Sequence, residues 1–87
     1  VEINVTDVPG MSRYEARSQG SLIGVLEYHR QPSAVVIDHV EVQPEARGLG
    51  IAGHLTETAL ADFKKEGVEI VPLCPYVQSW IAKHQTG

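Results

Sequence analysis

Residues 34–42, AVVIDHVEV, are followed by a break and then by three closely spaced glycines, and this succession constrains the fold most. The run is rich in β-branched residues and reads as the strongest strand of the chain. Pro44 ends it. The stretch EARGLGIAGHL, residues 45–55, then places Gly48, Gly50 and Gly53 at the opening of a helical pattern. From about Gly48 to Lys65, Ala52, Leu55, Ala59, Leu60 and Phe63 recur on one face of a helix. Gly67 is a C-terminal stop. Residues 68–73, VEIVPL, form a further strand, with Pro72 marking an edge or a bulge. A strand joined to the next through a helix must run parallel to it, so 68–73 should lie parallel to 34–42. The first of these strands carries apolar residues on both pleat faces, Val35 and Ile37 on one, Val36, Val40 and Val42 on the other. A strand buried on both sides reads that way, so something should cover each face.

Upstream, residues 2–6, 13–18 and 21–30 read as strands separated by Pro9-Gly10 and Gln19-Gly20, and with 34–42 they make an antiparallel meander. Downstream of Cys74-Pro75, Val77, Trp80, Ile81 and His84 recur at helical spacing, with Pro75 suited to the first turn. The order is β-β-β-β-α-β-α, an α+β (α/β-like) fold. With 87 residues, 43% of them apolar, the chain supports one domain over 1–87.

The charge balance narrows the function. Eleven Asp and Glu outnumber seven Lys and Arg. The adjacent pair Lys64-Lys65 is flanked by Asp62 and Glu66 and reads as a solvated helix face, not the basic stripe of a nucleic-acid binder. An acidic surface attracts a cationic partner, such as an amine. The single cysteine, Cys74, leaves no internal disulfide and no Cys-rich zinc site, and no metal is expected. A reducing, cytoplasmic setting fits. No apolar run is long enough to span a bilayer and no signal peptide precedes Val1, whose place at the start points to trimming or an incomplete start. A homodimer, with the partner supplying one wall of a site, is a further expectation for so short a chain.

Glycine weakens a helix by about 1 kcal/mol per residue relative to alanine. Two readings explain three of them at a helix start. The glycines shape a tight turn; or they bare the backbone amides of the first helical turn, which have no partner inside the helix and carry the positive end of the dipole. The second makes an anion site from main chain, with Arg47 adding a charged contact. The third glycine is misplaced for the dinucleotide fingerprint, and no βαβ unit surrounds the run. No Gly-Lys-Ser/Thr ends it as in nucleoside-triphosphate loops.

Arg47-x-x-Gly50-x-Ala52, after a strand and opening a helix, resembles the Gln/Arg-x-x-Gly-x-Gly/Ala motif of the GNAT superfamily of N-acetyltransferases. The chain is similar to a small single-domain branch that pairs an Arg-Gly-x-Gly-x-Ala stretch, here residues 47–52, with a Leu-Cys-Pro-like stretch, here Leu73-Cys74-Pro75-Tyr76-Val77. Ser12-Arg13-Tyr14-Glu15, Glu27-Tyr28 and the His39 strand also resemble it. His84-Gln85 departs from the His-Pro of many members. The resemblance implies acetyl-coenzyme A as cofactor and a shortened GNAT fold without the helices that longer members insert between early strands. It implies that the two parallel strands splay apart to admit the pantetheine arm. The backbone of Val40 and Val42 would pair with the pantetheine amides. The backbone of Gly48, Leu49, Gly50, Ile51, Ala52 and Gly53 would hold the pyrophosphate, with Arg47 beside it. The activity implied is acetyl transfer to a primary amine, on a small molecule, a protein terminus or a lysine. A different class, a non-catalytic acyl-CoA-binding or regulatory module, would keep the pocket without turnover.

Acetyl transfer needs a nucleophile, a proton acceptor and donors for a developing oxyanion. Cys74 precedes a helix N-terminus, where a thiol's pKa can be lowered. Taken alone it reads as a small buried hydrophobe; the resemblance makes it a pocket residue or an acyl relay. His39 is either a proton acceptor on the cofactor-side strand or an interstrand histidine. Glu27 reads first as a solvated carboxylate and second as a base acting through water. Tyr76 reads first as a half-buried tyrosine and second as a proton donor to the departing thiolate. His54 is a surface or phosphate-adjacent residue, and His29 and His84 are too isolated for a metal site. Trp80 packs the last helix or borders the mouth of a cofactor groove.

Overall fold

The computed structural model describes residues 2–84. Strands β1 (Asn4–Val8), β2 (Arg13–Ser18), β3 (Ser21–Gln31) and β4 (Ala34–Val42) lead into helix α1 (Ile51–Glu66), strand β5 (Glu69–Pro72) and helix α2 (Pro75–His84). The element order is the expected one. The first strand lies later than residues 2–6 because its pairing with β2, from Asn4↔Arg17 to Val8↔Arg13, runs up to the Pro9–Met11 turn. That turn closes with Ser12 in the left-handed region (φ 53°), its amide donating to the Pro9 carbonyl. Helix α1 starts at Ile51 and not at Gly48 because Gly48 and Gly50 hold positive φ (86° and 75°), which no helix accommodates.

The strands form one sheet in the order β1-β2-β3-β4-β5, antiparallel except for β4 and β5, which are parallel. So β4, α1 and β5 make a βαβ unit, contrary to the expectation that none surrounds the glycines. Only the glycine spacing separates the run from a dinucleotide fingerprint.

Helix α1 lies on the sheet with Ile51, Leu55, Ala59, Leu60 and Phe63 buried against Tyr14, Ala16, Leu26, Tyr28, Val35 and Ile37. Ala52, expected in this face, is only half-buried, and Ile51 takes its place. Phe63 meets the rings of Tyr14 and Tyr28 edge-on at 5.8 and 5.3 Å, an arrangement that contributes beyond burial alone. Each phenol is satisfied: Tyr14 donates to Asp62 Oδ2 (2.8 Å) and Tyr28 to Asp7 Oδ1 (2.7 Å). Burial first, then the neighbouring carboxylate, raises both phenol pKa values, that of Tyr28 to about 12.

The two-sided burial expected of β4 has a different cause. Tyr28 pairs with Ile37 and Glu27 with His39, so Asp38 is an extra residue. This bulge switches the parity of the strand. Val35 and Ile37 before it, and Val40 and Val42 after it, all face the same core. Val36 alone among the β4 valines takes the far face, in register between His29 and Val71. Helix α2 packs beside α1: a Cβ on Gly53 would lie 3.5 Å from the Tyr76 hydroxyl and 3.6 Å from Trp80 Nε1. Both helices thus cover one face. Among the described residues no helix covers the other, correcting the expectation that each face is covered. Tyr14 and Ala16 point to α1, so Arg13, Glu15 and Arg17 point away, where Arg13 and Arg17 grip the Glu15 carboxylate (2.9 and 3.1 Å). Those guanidiniums hold the Glu15 pKa below the usual carboxylate range. No described helix is long and apolar enough to cross a membrane.

Candidate functional site

The site begins where β5 leaves β4. Pairing runs from Ala34↔Glu69 to Ile37↔Pro72 and stops. The Ile37 carbonyl then accepts from the amides of both Leu73 (3.0 Å) and Cys74 (3.3 Å) as the chain turns into α2. Beyond that point, residues 38–42 of β4 continue without a β5 partner. On the other edge the Gln43 amide donates to the Ile23 carbonyl (2.8 Å). Alternation along the strand therefore turns the amides and carbonyls of Val42 and Val40 toward the side that β5 has vacated. The bulge at Asp38 produces this arrangement, since before it the odd-numbered Ser33 and Ile37 face β5.

The glycine run closes the end of this gap. A turn at Pro44–Ala46 leads to an extended Arg47, and Gly50 caps α1 without any side-chain hydrogen bond. The first helical bond runs from the His54 amide to the Gly50 carbonyl (3.0 Å). Among the described residues, no backbone carbonyl accepts from the amides of residues 48–53. A Cβ at Gly48 or Gly50 would meet nothing within 4 Å. These two glycines are thus needed for their left-handed backbone, and their lack of side chains leaves the amides open to solvent. A cavity of about 240 Å³ lies against them, walled by Val42, Ala46, Arg47, Gly48 and Gly50 and by Ile51, Ala52, Gly53 and Tyr76. Most of the residues expected to hold a cofactor therefore share one wall. Leu49 does not; its side chain is exposed, off the cavity. Val40 packs its side chain on the core, and only its backbone faces the gap.

The candidate catalytic residues fall on different sides. Cys74 is 5% exposed, belongs to the core cluster and does not line the cradle cavity. Its carbonyl accepts from the Gln78 amide (3.0 Å), which makes it the cap of α2. His39 is exposed on the open face, with Nε2 3.4 Å from Glu41 Oε1 and Glu27 opposite it in register. Through the Ile37 carbonyl the Cys74 backbone lies close to His39 along β4, but their side chains point to opposite faces. Tyr76, which the sequence favours as an ordinary half-buried tyrosine, stands 42% exposed on the cavity wall. Its place at the second position of α2, beside the gap, is the signal that identifies it. Trp80 packs on the core, as the first of its two readings has it, and brings Nε1 next to Gly53. His54 is exposed. His29 pairs with Asp38 (2.8 Å), and His84 stacks on Trp80 with ring centroids 3.9 Å apart. No group of metal-ligating side chains occurs among the described residues. Gln85, where the sequence departs from its relatives, lies outside the described residues.

A family model described as GCN5-related N-acetyltransferase matches residues 13–86. The chain belongs to that family. No curated protein matches the sequence. Among solved structures the family resemblance extends to the fold. A ribosomal-protein-alanine N-acetyltransferase from Brucella melitensis biovar Abortus 2308 superposes with a TM-score of 0.70 at 21% identity, over 86% of this chain and 61% of that one. An IAA acetyltransferase from Bacillus cereus ATCC 14579 gives 0.63 at 25% identity, over 82% and 51%. A GCN5-related N-acetyltransferase from Ralstonia eutropha JMP134 gives 0.60 at 18% identity, over 86% and 57%. The chain therefore spans about half to three fifths of the length of these three structures.

Proposed function

We propose that the chain is an acetyl-CoA-dependent N-acetyltransferase that moves an acetyl group to a primary amine of a small molecule or a protein. The observation that carries this is the unpaired edge of β4 leading, at Val42, to a cavity walled by the bare amides of the glycine run. The residues present fit the cofactor. A diphosphate fits the open amides and the Arg47 guanidinium, since a helix N-terminus stripped of side chains favours an anion. Two secondary amides on a pantetheine arm match the amide and carbonyl edges of Val40 and Val42. Acetyl-CoA supplies the acetyl group as a thioester, already activated for transfer.

The amine reaches the gap from the open face of the sheet, where His39, Glu41 and Glu27 stand. With Nε2–H turned to Glu41, His39 Nδ1 takes the proton that an ammonium must lose before its lone pair can attack. Glu41 orients the ring and stabilises the imidazolium that results. The Tyr76 hydroxyl, on the cavity wall beside Gly53, stands at the diphosphate end of the path, where it donates a hydrogen bond to a phosphate oxygen, and the sulfur that leaves takes its proton from solvent. Direct transfer is preferred to a Cys74 relay because that thiol is buried in the core and does not line the cradle cavity. The test is turnover with acetyl-CoA and a panel of polyamines and lysine peptides. Acetylated amine is the expected product, and Cys74→Ala keeps most of the rate. Binding of coenzyme A without turnover on any amine would favour the non-catalytic module. Loss of all turnover in Cys74→Ala, with one acetyl group on the wild-type protein by intact mass, would establish the relay.

A further inference from the structure

The protein is acidic, with eleven Asp and Glu, yet residues 46–56 and 70–84 contain none. The fold brings these two segments together. Gly53 of α1 faces Tyr76 and Trp80 of α2, and Tyr76 lines both the cradle cavity and a second one of about 560 Å³. That second cavity runs along the outer side of α2 past Ser79, Trp80, Lys83 and His84. Its chemistry differs from that of the cradle: an aromatic wall, where Trp80 and His84 stack at 3.9 Å, and one mobile cation on a long stem. Lys83 enters no ion pair among the described residues. The His84 ring is fixed by an Nδ1–H donated to the Trp80 carbonyl (2.8 Å). Trp80 Nε1–H, beside Gly53, has no acceptor among the described residues.

We infer that this α2 groove binds the nucleoside end of the cofactor, with the purine base against the Trp80–His84 pair and the ribose 3′-phosphate on Lys83. The inference rests on the cofactor reading above and adds to it a subsite outside the glycine cradle. The geometry supports the order of groups. Trp80 Nε1 is close to Gly53, the last residue of the cradle, and Lys83 lies about one helical turn, ~5.4 Å, further along α2. A single ribose separates a 3′-phosphate from the diphosphate by a comparable span. An aromatic platform binds any base through its face, and a cation beside it binds the phosphate as a point charge. Nothing acidic on either segment opposes an anion there.

The test compares coenzyme A with 3′-dephospho-coenzyme A by calorimetry, for the wild type and for Lys83→Gln. The wild type is expected to prefer coenzyme A by roughly tenfold, the value of one charge-assisted contact. Lys83→Gln should bind both compounds with the weaker affinity. Trp80 is the sole tryptophan, so its fluorescence reports the same subsite. It should respond to both nucleotides and stay unchanged with saturating 4′-phosphopantetheine, which lacks the nucleoside. Coenzyme A binding with an undiminished preference in Lys83→Gln would overturn the subsite alone. So would a Trp80 signal that 4′-phosphopantetheine reproduces in full. Failure of every compound to bind the wild type would overturn the cofactor reading and the subsite with it.

Discussion

Between Ala34 and Ile37, β4 is paired on both edges and all of its side chains are buried; between Asp38 and Val42 it is paired on one edge, with side chains half-buried or exposed. The closed half, AVVI, is wholly apolar, whereas the open half, DHVEV, mixes ionisable residues with two valines. The halves also differ by one inserted residue, Asp38, and by a short β5 that ends at Pro72 before Pro75 starts α2. The lesson is that stability and ligand access are built on the same strand in series. The closed half anchors the sheet to α1. The open half leaves backbone groups free at the point where the glycine run bares more of them.

Four changes test that division. The largest effect belongs to the closed half. Phe63→Ala removes a ring with no exposure from the Tyr14–Tyr28 cluster and should cost about 3–5 kcal/mol in urea unfolding. Any change in coenzyme A affinity of the folded fraction beyond twofold would blur the separation. Next is His39→Ala in the open half: kcat should fall roughly 10²-fold with the KM for acetyl-CoA unchanged, as for loss of a general base. Its unfolding free energy should stay within about 0.5 kcal/mol of wild type. Arg47→Ala should weaken coenzyme A binding about tenfold in calorimetry and leave stability unchanged, its side chain being exposed. Unchanged affinity would remove Arg47 from the cradle.

The smallest effect appears only in alkali. The Tyr28 phenol titrates at about 12 in the folded protein against an ordinary value of 10. Below the ordinary value both folded and unfolded chains hold the proton, and the stabilisation is complete. As the pH rises from 10 to 12 the unfolded chain ionises first, so stability declines across that window. Tyr28→Phe should make this alkaline limb shallower, leaving the part that the raised Tyr14 phenol contributes, with coenzyme A binding at neutral pH unaltered. A limb unchanged in Tyr28→Phe would mean that another group sets it.

The order of elements was legible because each is announced locally: strand runs of β-branched residues, the apolar spacing of Leu55, Ala59, Leu60 and Phe63, and Gly67 as a stop. The cradle was legible because Gly48 and Gly50 answer a backbone need that no other residue meets at low cost. The bulge was visible only as a parity switch, odd in Val35 and Ile37 and even in Val40 and Val42. That pattern has two causes, burial on both faces or one extra residue, and only pairing with β3 decides between them. The same ambiguity concealed the position of His39, which the bulge turns to the open face. The place of Tyr76 on the cavity wall was not legible because its neighbour in space, Gly53, lies far off in sequence, and nothing local predicts how α2 docks beside α1.

The most direct test of the open half is an amide NMR titration with coenzyme A. The amides of Val40, Val42 and residues 48–53 should shift together at saturation while those of residues 34–37 stay in place. Saturable binding that leaves the glycine-run amides unmoved, or shifts spread evenly over both halves of β4, would contradict a cofactor path built from that main chain.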